Sequence, residues 1–337
     1  MNLKADEAVL LVNLGSPKEL NKRSIREYLR IFLSDDYVVD LPKILQQLIL
    51  YLFILPFRPR KTLHAYSQIW TEFGSPLIIS SRNIQKKLAK KTGWKVSLAM
   101  RYEDPSIKDA LEELKEHSYK KIYVIPLYPH YAMSTSKTTQ REVKRVRDKL
   151  NLKIDLEFVD SFHNANGYID ALCEIIKNKM QPQSEFLLFS YHGIPNRHLK
   201  KTDPTKKHCL QSKNCCEMES LAKPYCYKAQ VIETSRLCAD SLDMKSSEWG
   251  ISFQSRIGPG WMKPFTDIEL KKLAEKGIKN LDVVCPSFVI DNLETLEEMN
   301  LRGRETFLEA GGENFNYIPC LNQNSLWLDF LEDMVKK

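Results

Sequence analysis

Short apolar runs recur along this chain, separated by amphipathic helical segments, and that alternation constrains the fold more than any other feature. Seven runs read as strands: residues 8–14, 95–100, 121–126, 155–158, 185–190, 250–254 and 280–284. A strand that is apolar along its length, rather than at every second residue, is buried on both faces, as in a parallel sheet covered by helices. Helical patterns lie between the runs at 106–116, 138–150, 167–179 and 267–276, and residues 134–138 are placed to cap the second of these. Strand, helix and strand in repetition build βαβ units, so the expected class is α/β with a mainly parallel sheet. A chain of 337 residues is long for one core and suits two domains. The expected division falls near residue 160: a first domain over 1–160, a second over 161–323, and a terminal helix over 324–337 that packs back on the first.

Composition narrows the function classes. With 43% hydrophobic and 28% charged residues, the chain is that of a folded globular protein and not a disordered one. Its net charge of +7 comes from 50 basic residues set against 43 acidic ones. That balance permits attraction to anionic ligands or lipid head groups without selecting nucleic acid, and no nucleic-acid-binding motif accompanies it. The longest apolar stretch, 48–55, ends at Pro56, well short of the ~20 residues a spanning helix needs. No signal peptide is apparent at the start, so the expected location is cytoplasmic and the eight cysteines should be thiols or metal ligands. Residues 41–61 stand out, because an apolar stretch there is followed by Arg58, Arg60 and Lys61. The segment reads either as a peripheral membrane contact with basic residues at the head groups, or as a buried helix with an exposed basic cap.

Two stretches carry chemistry. Residues 190–195, Ser-Tyr-His-Gly-Ile-Pro, present His192 directly after the run 186–189, at the carboxyl end of an expected strand, where open α/β sheets bind ligands. Residues 291–298 place Asp291, Glu294 and Glu298 at i, i+3 and i+7, which on an α-helix puts three carboxylates on one face. An imidazole and a row of carboxylates suggest traffic in protons, in metal ions, or in both.

The order and spacing of several further segments carry a family resemblance. They are Asn13-Leu14-Gly15-Ser16-Pro17, Gly74-Ser75-Pro76-Leu77, Arg101-Tyr102, Leu127-Tyr128-Pro129, Ser190 to Pro195, Phe253-Gln254-Ser255-Arg256 with Trp261, and Glu294-Thr295-Leu296. Over nearly its whole length the chain resembles the ferrochelatases, which insert ferrous iron into a porphyrin. The resemblance implies two similar doubly wound, Rossmann-like domains with four-stranded sheets facing a porphyrin cleft. It implies His192 as the acceptor of pyrrole protons or a transient iron contact, Glu294 as the active-site glutamate, and Asp291 and Glu298 as flanking acids in iron and proton transfer. Arg58, Ser75, Arg101, Tyr102, Tyr128, Ser255 and Trp261 are the implied porphyrin contacts, with aromatic walls and donors at the rim suiting a flat macrocycle edged by carboxylates. Many family members have histidine where this chain has Asn292, so His192 should be the single imidazole base. The start of the chain resembles the protoporphyrin-using branch. Alternatives in view are a chelatase for coproporphyrin or another metal, and a porphyrin carrier without turnover.

Residues 200–228 form a lysine-rich insertion containing Cys209, Cys215, Cys216 and Cys226. No paired Cys-x-x-Cys zinc pattern occurs in it. Four thiolates can hold a [2Fe-2S] cluster, and the segment resembles the internal insertion that carries one in a group of ferrochelatases; the plain alternative is four reduced thiols.

Overall fold

The computed structural model describes residues 3–336. Met1, Asn2 and Lys337, which the expected domain and terminal helix include, lie outside the described residues.

Eight strands form two four-stranded sheets, parallel throughout. The first holds β1 (Glu7–Asn13), β2 (Val96–Met100), β3 (Lys121–Pro126) and β4 (Asp155–Phe158) in the order β2-β1-β3-β4. The second holds β5 (Phe186–His192), β6 (Trp249–Gln254), β7 (Asn280–Val284) and β8 (Asn314–Ile318) in the order β6-β5-β7-β8. Each sheet, numbered from its own first strand, has the same order, so the two are topologically alike although no sequence repeat announces it. β1 and β5 occupy equivalent inner positions, and their fully buried Val9, Leu10, Leu11, Leu187 and Phe189 explain the unbroken apolar runs.

Seven strands are legible in the sequence and the eighth, β8, is not. Its residues, Asn-Phe-Asn-Tyr-Ile, bury Phe315 and Tyr317 while Asn314 is exposed. That is the alternation of an edge strand, with asparagines that lower strand propensity.

The chain divides into two compact units. One runs up to Tyr128, resumes over Met133–Asp160 and takes in the chain from Leu328; the other comprises Pro129–Ala132 and Ser161–Trp327. In the first, Leu10, Val12, Leu111, Leu114 and Val143 share one core, and Lys91 pairs with Asp329 at 2.9 Å and with Glu332. In the second, Leu188, Val283, Met299, Phe307 and Phe315 form the core.

Among the described residues three helical segments contain widened π turns. Residues 134–138 do not cap the following helix; Met133–Lys137 is a π-helical turn that runs straight into Thr138–Lys149. Residues 41–61 form a continuous helical path, Lys43–Ile49, a π turn over Leu50–Ile54, then Leu55–Ser67. Leu50, Leu55 and Gln46 are buried, whereas Ile44 is 80% and Phe57 73% exposed. The third π segment, Glu294–Gly303, lies in the second unit. Such widened turns are uncommon and collect at functional sites.

Candidate active site

His192 is the last residue of β5, and its backbone is held on both sides. Its N–H donates to Ser287 Oγ at 3.0 Å. Its carbonyl accepts from the Tyr227 hydroxyl at 2.8 Å, and that hydroxyl also lies 2.8 Å from Ser287 Oγ. The ring is oriented by Nδ1, 2.7 Å from the Gly193 carbonyl. A carbonyl only accepts, so Nδ1 carries the hydrogen and the lone pair of the neutral ring sits on Nε2. Phe288 lies edge-on to the imidazole with centroids 6.2 Å apart.

The neighbouring strand joins His192 to the acidic segment. In the β5–β6 register His192 faces Gln254. The Gln254 amide donates to the Glu294 carbonyl at 3.1 Å and accepts from Ser190 Oγ at 2.7 Å. The next residue, Ser255, has a left-handed backbone with φ 63°. Its N–H donates to Glu298 Oε1 at 2.8 Å and its hydroxyl donates to Oε2, so Glu298 clamps the strained turn that ends β6. Trp261 lies beside the same turn. Met262 N–H donates to Ile194 O at 3.1 Å, Asn196 N–H to Gly260 O at 2.8 Å, and a Cβ placed on Gly193 would stand 3.5 Å from the Trp261 ring and 3.0 Å from the Gln254 carbonyl. Glycine at 193 eases this close approach, since a Cβ would press on the Gln254 carbonyl.

The expectation of three carboxylates on one helix face is corrected. Asp291 precedes the π segment, which begins at Glu294. Its carboxylate accepts from Tyr317 Oη at 2.5 Å, Asn322 Nδ2 at 2.7 Å, Cys320 N–H at 3.2 Å and Thr295 Oγ1 at 3.2 Å. An acid with four donors is a structural staple. Asn292 caps the π segment: its Oδ1 accepts from the N–H of Glu294 at 3.0 Å and of Thr295 at 3.2 Å, while its own N–H donates to Thr295 Oγ1 at 3.0 Å. Among the described residues no group of three or more His, Cys, Asp or Glu side chains is arranged to hold a metal ion.

The remaining sequence-predicted porphyrin contacts lie in the first unit. Tyr102, expected as an aromatic wall, is 1% exposed, packs edge-on to Phe32 at 5.1 Å and donates to Asp35 at 3.0 Å. Arg101 also binds Asp35, as do Thr138 and, at 2.8 Å, Arg141. Both predicted contacts are therefore drawn into one buried ion network by Asp35. Burial alone would raise the Asp35 pKa, but the Thr138 hydroxyl, the Tyr37 N–H and the two guanidinium groups outweigh it and hold it below the usual carboxylate range. Tyr128 and Ser75 are buried, and Arg58 is exposed beside Phe57.

The four cysteines of the insertion are gathered. The Cys226 thiol interacts with those of Cys216 and Cys209, and Cys215 is within electrostatic reach of both of these. The Cys216 contact, with help from the N–H groups of Ala229 and Lys228, pushes the Cys226 pKa down, while burial pushes Cys209 up. Asp203 organises the loop by accepting from the N–H groups of Thr205 at 2.8 Å, His208 at 2.8 Å and Cys209 at 2.9 Å. The four thiols lie near one another, but no three of them converge as a closed donor set for a metal ion.

Sequence reasoning missed Tyr227, Ser287, Gln254 and Asp35. Gln254 stood in a segment already singled out, whereas the other three show their roles only through long-range contacts.

The fold defines a class, the α/β proteins built on two similar four-stranded parallel sheets. SirB from Bacillus subtilis with Fe3+ superposes with a TM-score of 0.57 over 98% of this chain and 94% of that one, at 11% identity. The sirohydrochlorin chelatase SirB from Bacillus subtilis subspecies spizizenii, in complex with cobalt, gives 0.54 at 10% identity, with the same coverage. At such identity the likeness is one of fold. The ferrochelatase family profile matches residues 6–337. Ferrochelatases of Pseudomonas fluorescens and Opitutus terrae are each 42% identical over 335 residues, covering 98% of this chain and 98% and 97% of theirs. The chain belongs to the ferrochelatase family of iron-inserting lyases.

Proposed function

We propose that the substrate is protoporphyrin, that His192 accepts the pyrrole protons, and that Glu294, facing it across the porphyrin plane, passes protons or ferrous iron. Ferrous iron is a substrate here, and metallation must remove two pyrrole protons as the ion enters. One observation carries the reading: the Nδ1–H of His192 is committed to Gly193 O, which leaves Nε2 as an oriented base. Gln254 holds the backbone at Glu294 in fixed relation to the His192 strand. Trp261, packed along Gly193, is suited to lie against the macrocycle. Glu298 and Asp291 support this site from behind, through Ser255 and through Tyr317 respectively. The start of the chain, Asn13 to Pro17, supports protoporphyrin over coproporphyrin by its resemblance.

The test is anaerobic iron insertion into both porphyrins by the intact protein and by His192→Ala and Glu294→Gln. A loss of at least about 10²-fold in turnover with porphyrin binding retained is expected for His192→Ala. Near-normal turnover in that variant would sink the mechanism, and faster coproporphyrin metallation would overturn the substrate assignment.

The same reading assigns Cys209, Cys215, Cys216 and Cys226 as the residues that hold a [2Fe-2S] cluster, supported by their gathering. When bound, such a cluster supplies one-electron redox capacity. Colourless, iron- and sulfide-free protein after anaerobic purification would count against it. The exposed apolar and basic face over 41–61 is proposed as a peripheral membrane contact, with Arg58 at the head groups.

A further inference from the structure

The hydrogen bonds around His192 are anchored in the cysteine segment. Tyr227 is the first residue of the helix Tyr227–Ser241, and the residue capping that helix is Cys226. The Tyr227 ring is buried and edge-packed on His130, with centroids 5.8 Å apart. Its hydroxyl reaches both the His192 carbonyl and Ser287 Oγ at 2.8 Å, and Ser287 accepts from His192 N–H at 3.0 Å. One tyrosine therefore closes a three-membered clamp on the histidine backbone and is joined by a peptide bond to Cys226 of the four-cysteine segment. A second tie runs alongside, since Gln230 donates to Pro224 O at 2.8 Å and accepts from Tyr131 N–H at 2.7 Å.

We infer that Tyr227 is a positioning residue for His192, and that through it the orientation of the imidazole answers to the state of the four thiols. The inference rests on the reading of His192 as the base. A proton acceptor must be held to a fraction of an ångström, and displacement of about 1 Å costs up to ~10²-fold in rate. A phenol that fixes the adjoining carbonyl is a device of that kind. Binding a metal group on the cysteines would pull on Cys226, rotate the first turn of the helix and change how Tyr227 meets the carbonyl.

Tyr227→Phe keeps the ring and removes the clamp. Its kcat is expected to fall about tenfold with the porphyrin KM within about twofold, and the acid limb of the pH profile to move. A purely structural tyrosine would leave that limb in place. Ser287→Ala removes the other corner and should give the same signature if Tyr227→Phe does not fold. Unchanged kcat and pH limb in the variants would overturn the inference. Near-normal turnover in His192→Ala would instead overturn the reading beneath it. The coupling has its own readout, the imidazole NMR resonance of His192, assigned by its loss in His192→Gln. One equivalent of cadmium ion, added under reducing conditions to chelator-treated protein, should shift that resonance. The shift should vanish in Cys226→Ser and drop by more than half in Tyr227→Phe. No shift in the unaltered protein, or an equal shift in either variant, would overturn the coupling.

Discussion

Two carboxylates three residues apart, Asp291 and Glu294, show how little spacing says about a side chain's employment. Asp291 is saturated by Tyr317, Asn322, Cys320 and Thr295, and removing it strands several buried donors. Asp291→Ala should lower stability by about 2–4 kcal/mol, seen as a reduced denaturant midpoint; an unchanged midpoint would contradict the staple. Asp35 is a comparable case with a pH signature. Its pKa lies below the usual carboxylate range, for the reasons given above. A depressed carboxylate contributes stability that is complete above its unfolded value of 3.8 and disappears as pH falls through the lower folded value. Asp35→Asn should therefore be less stable than the unaltered protein near neutrality, with the difference shrinking on acidification below that range. Thermal unfolding measured across pH would show it. The segments of His192 and Glu294 stand out in the sequence, but apart from Tyr37 and Thr295 the partners of Asp35 and Asp291 lie from 26 to 106 residues away, a separation that no local pattern encodes.

The elements were legible where one physical demand dominated. Burial on two faces forces the apolar runs of β1, β2, β5 and β7, whereas the edge strand β8, with exposed Asn314 and buried Phe315 and Tyr317, shows no such run. The π segment at Glu294–Gly303 was misread as an α-helix since both share a nearly similar apolar spacing. Asn292 makes sense at this scale: it caps that segment through two backbone N–H groups, work that a histidine side chain performs poorly. Asn292→Ala is expected to cost about 0.5–2 kcal/mol and Asn292→Asp much less, compared by chemical denaturation. The turn after β1 is constrained more severely. Gly15 has φ 108°, and a Cβ there would stand 1.9 Å from the Tyr102 carbonyl. Gly15→Ala must move backbone, so it should destabilise the first unit by about 3 kcal/mol or more. A melting temperature within about 2 °C of the unaltered protein would refute that.

On the scale of the whole molecule, the α/β class followed from alternation, two domains from length and the doubled four-stranded sheet from the family resemblance, whereas the surface followed from none of these. Among the described residues no helix is long and apolar enough to cross a membrane, yet the first unit exposes Ile44, Leu48, Leu52, Phe53, Phe57 and Phe73. All of these but Phe73 lie on one helical path, and large exposed apolar side chains are costly in water. Arg58, Arg60 and Lys61 adjoin them, and the net charge of the chain is +7. The proposed membrane contact would match both features, with apolar side chains in the acyl boundary and cations at anionic head groups. Sedimentation with vesicles containing phosphatidylserine should recover the protein at low salt, and raising ionic strength should release a part of it, since charge is screened and apolar burial is not. Phe53→Ser and Phe57→Ser should each weaken vesicle binding by roughly tenfold, the share of a partly buried aromatic ring. Arg60→Gln and Lys61→Gln should act only on vesicles that carry anionic lipid. Equal recovery of the protein and the Phe53→Ser, Phe57→Ser double variant would show that a bilayer is not what covers this face.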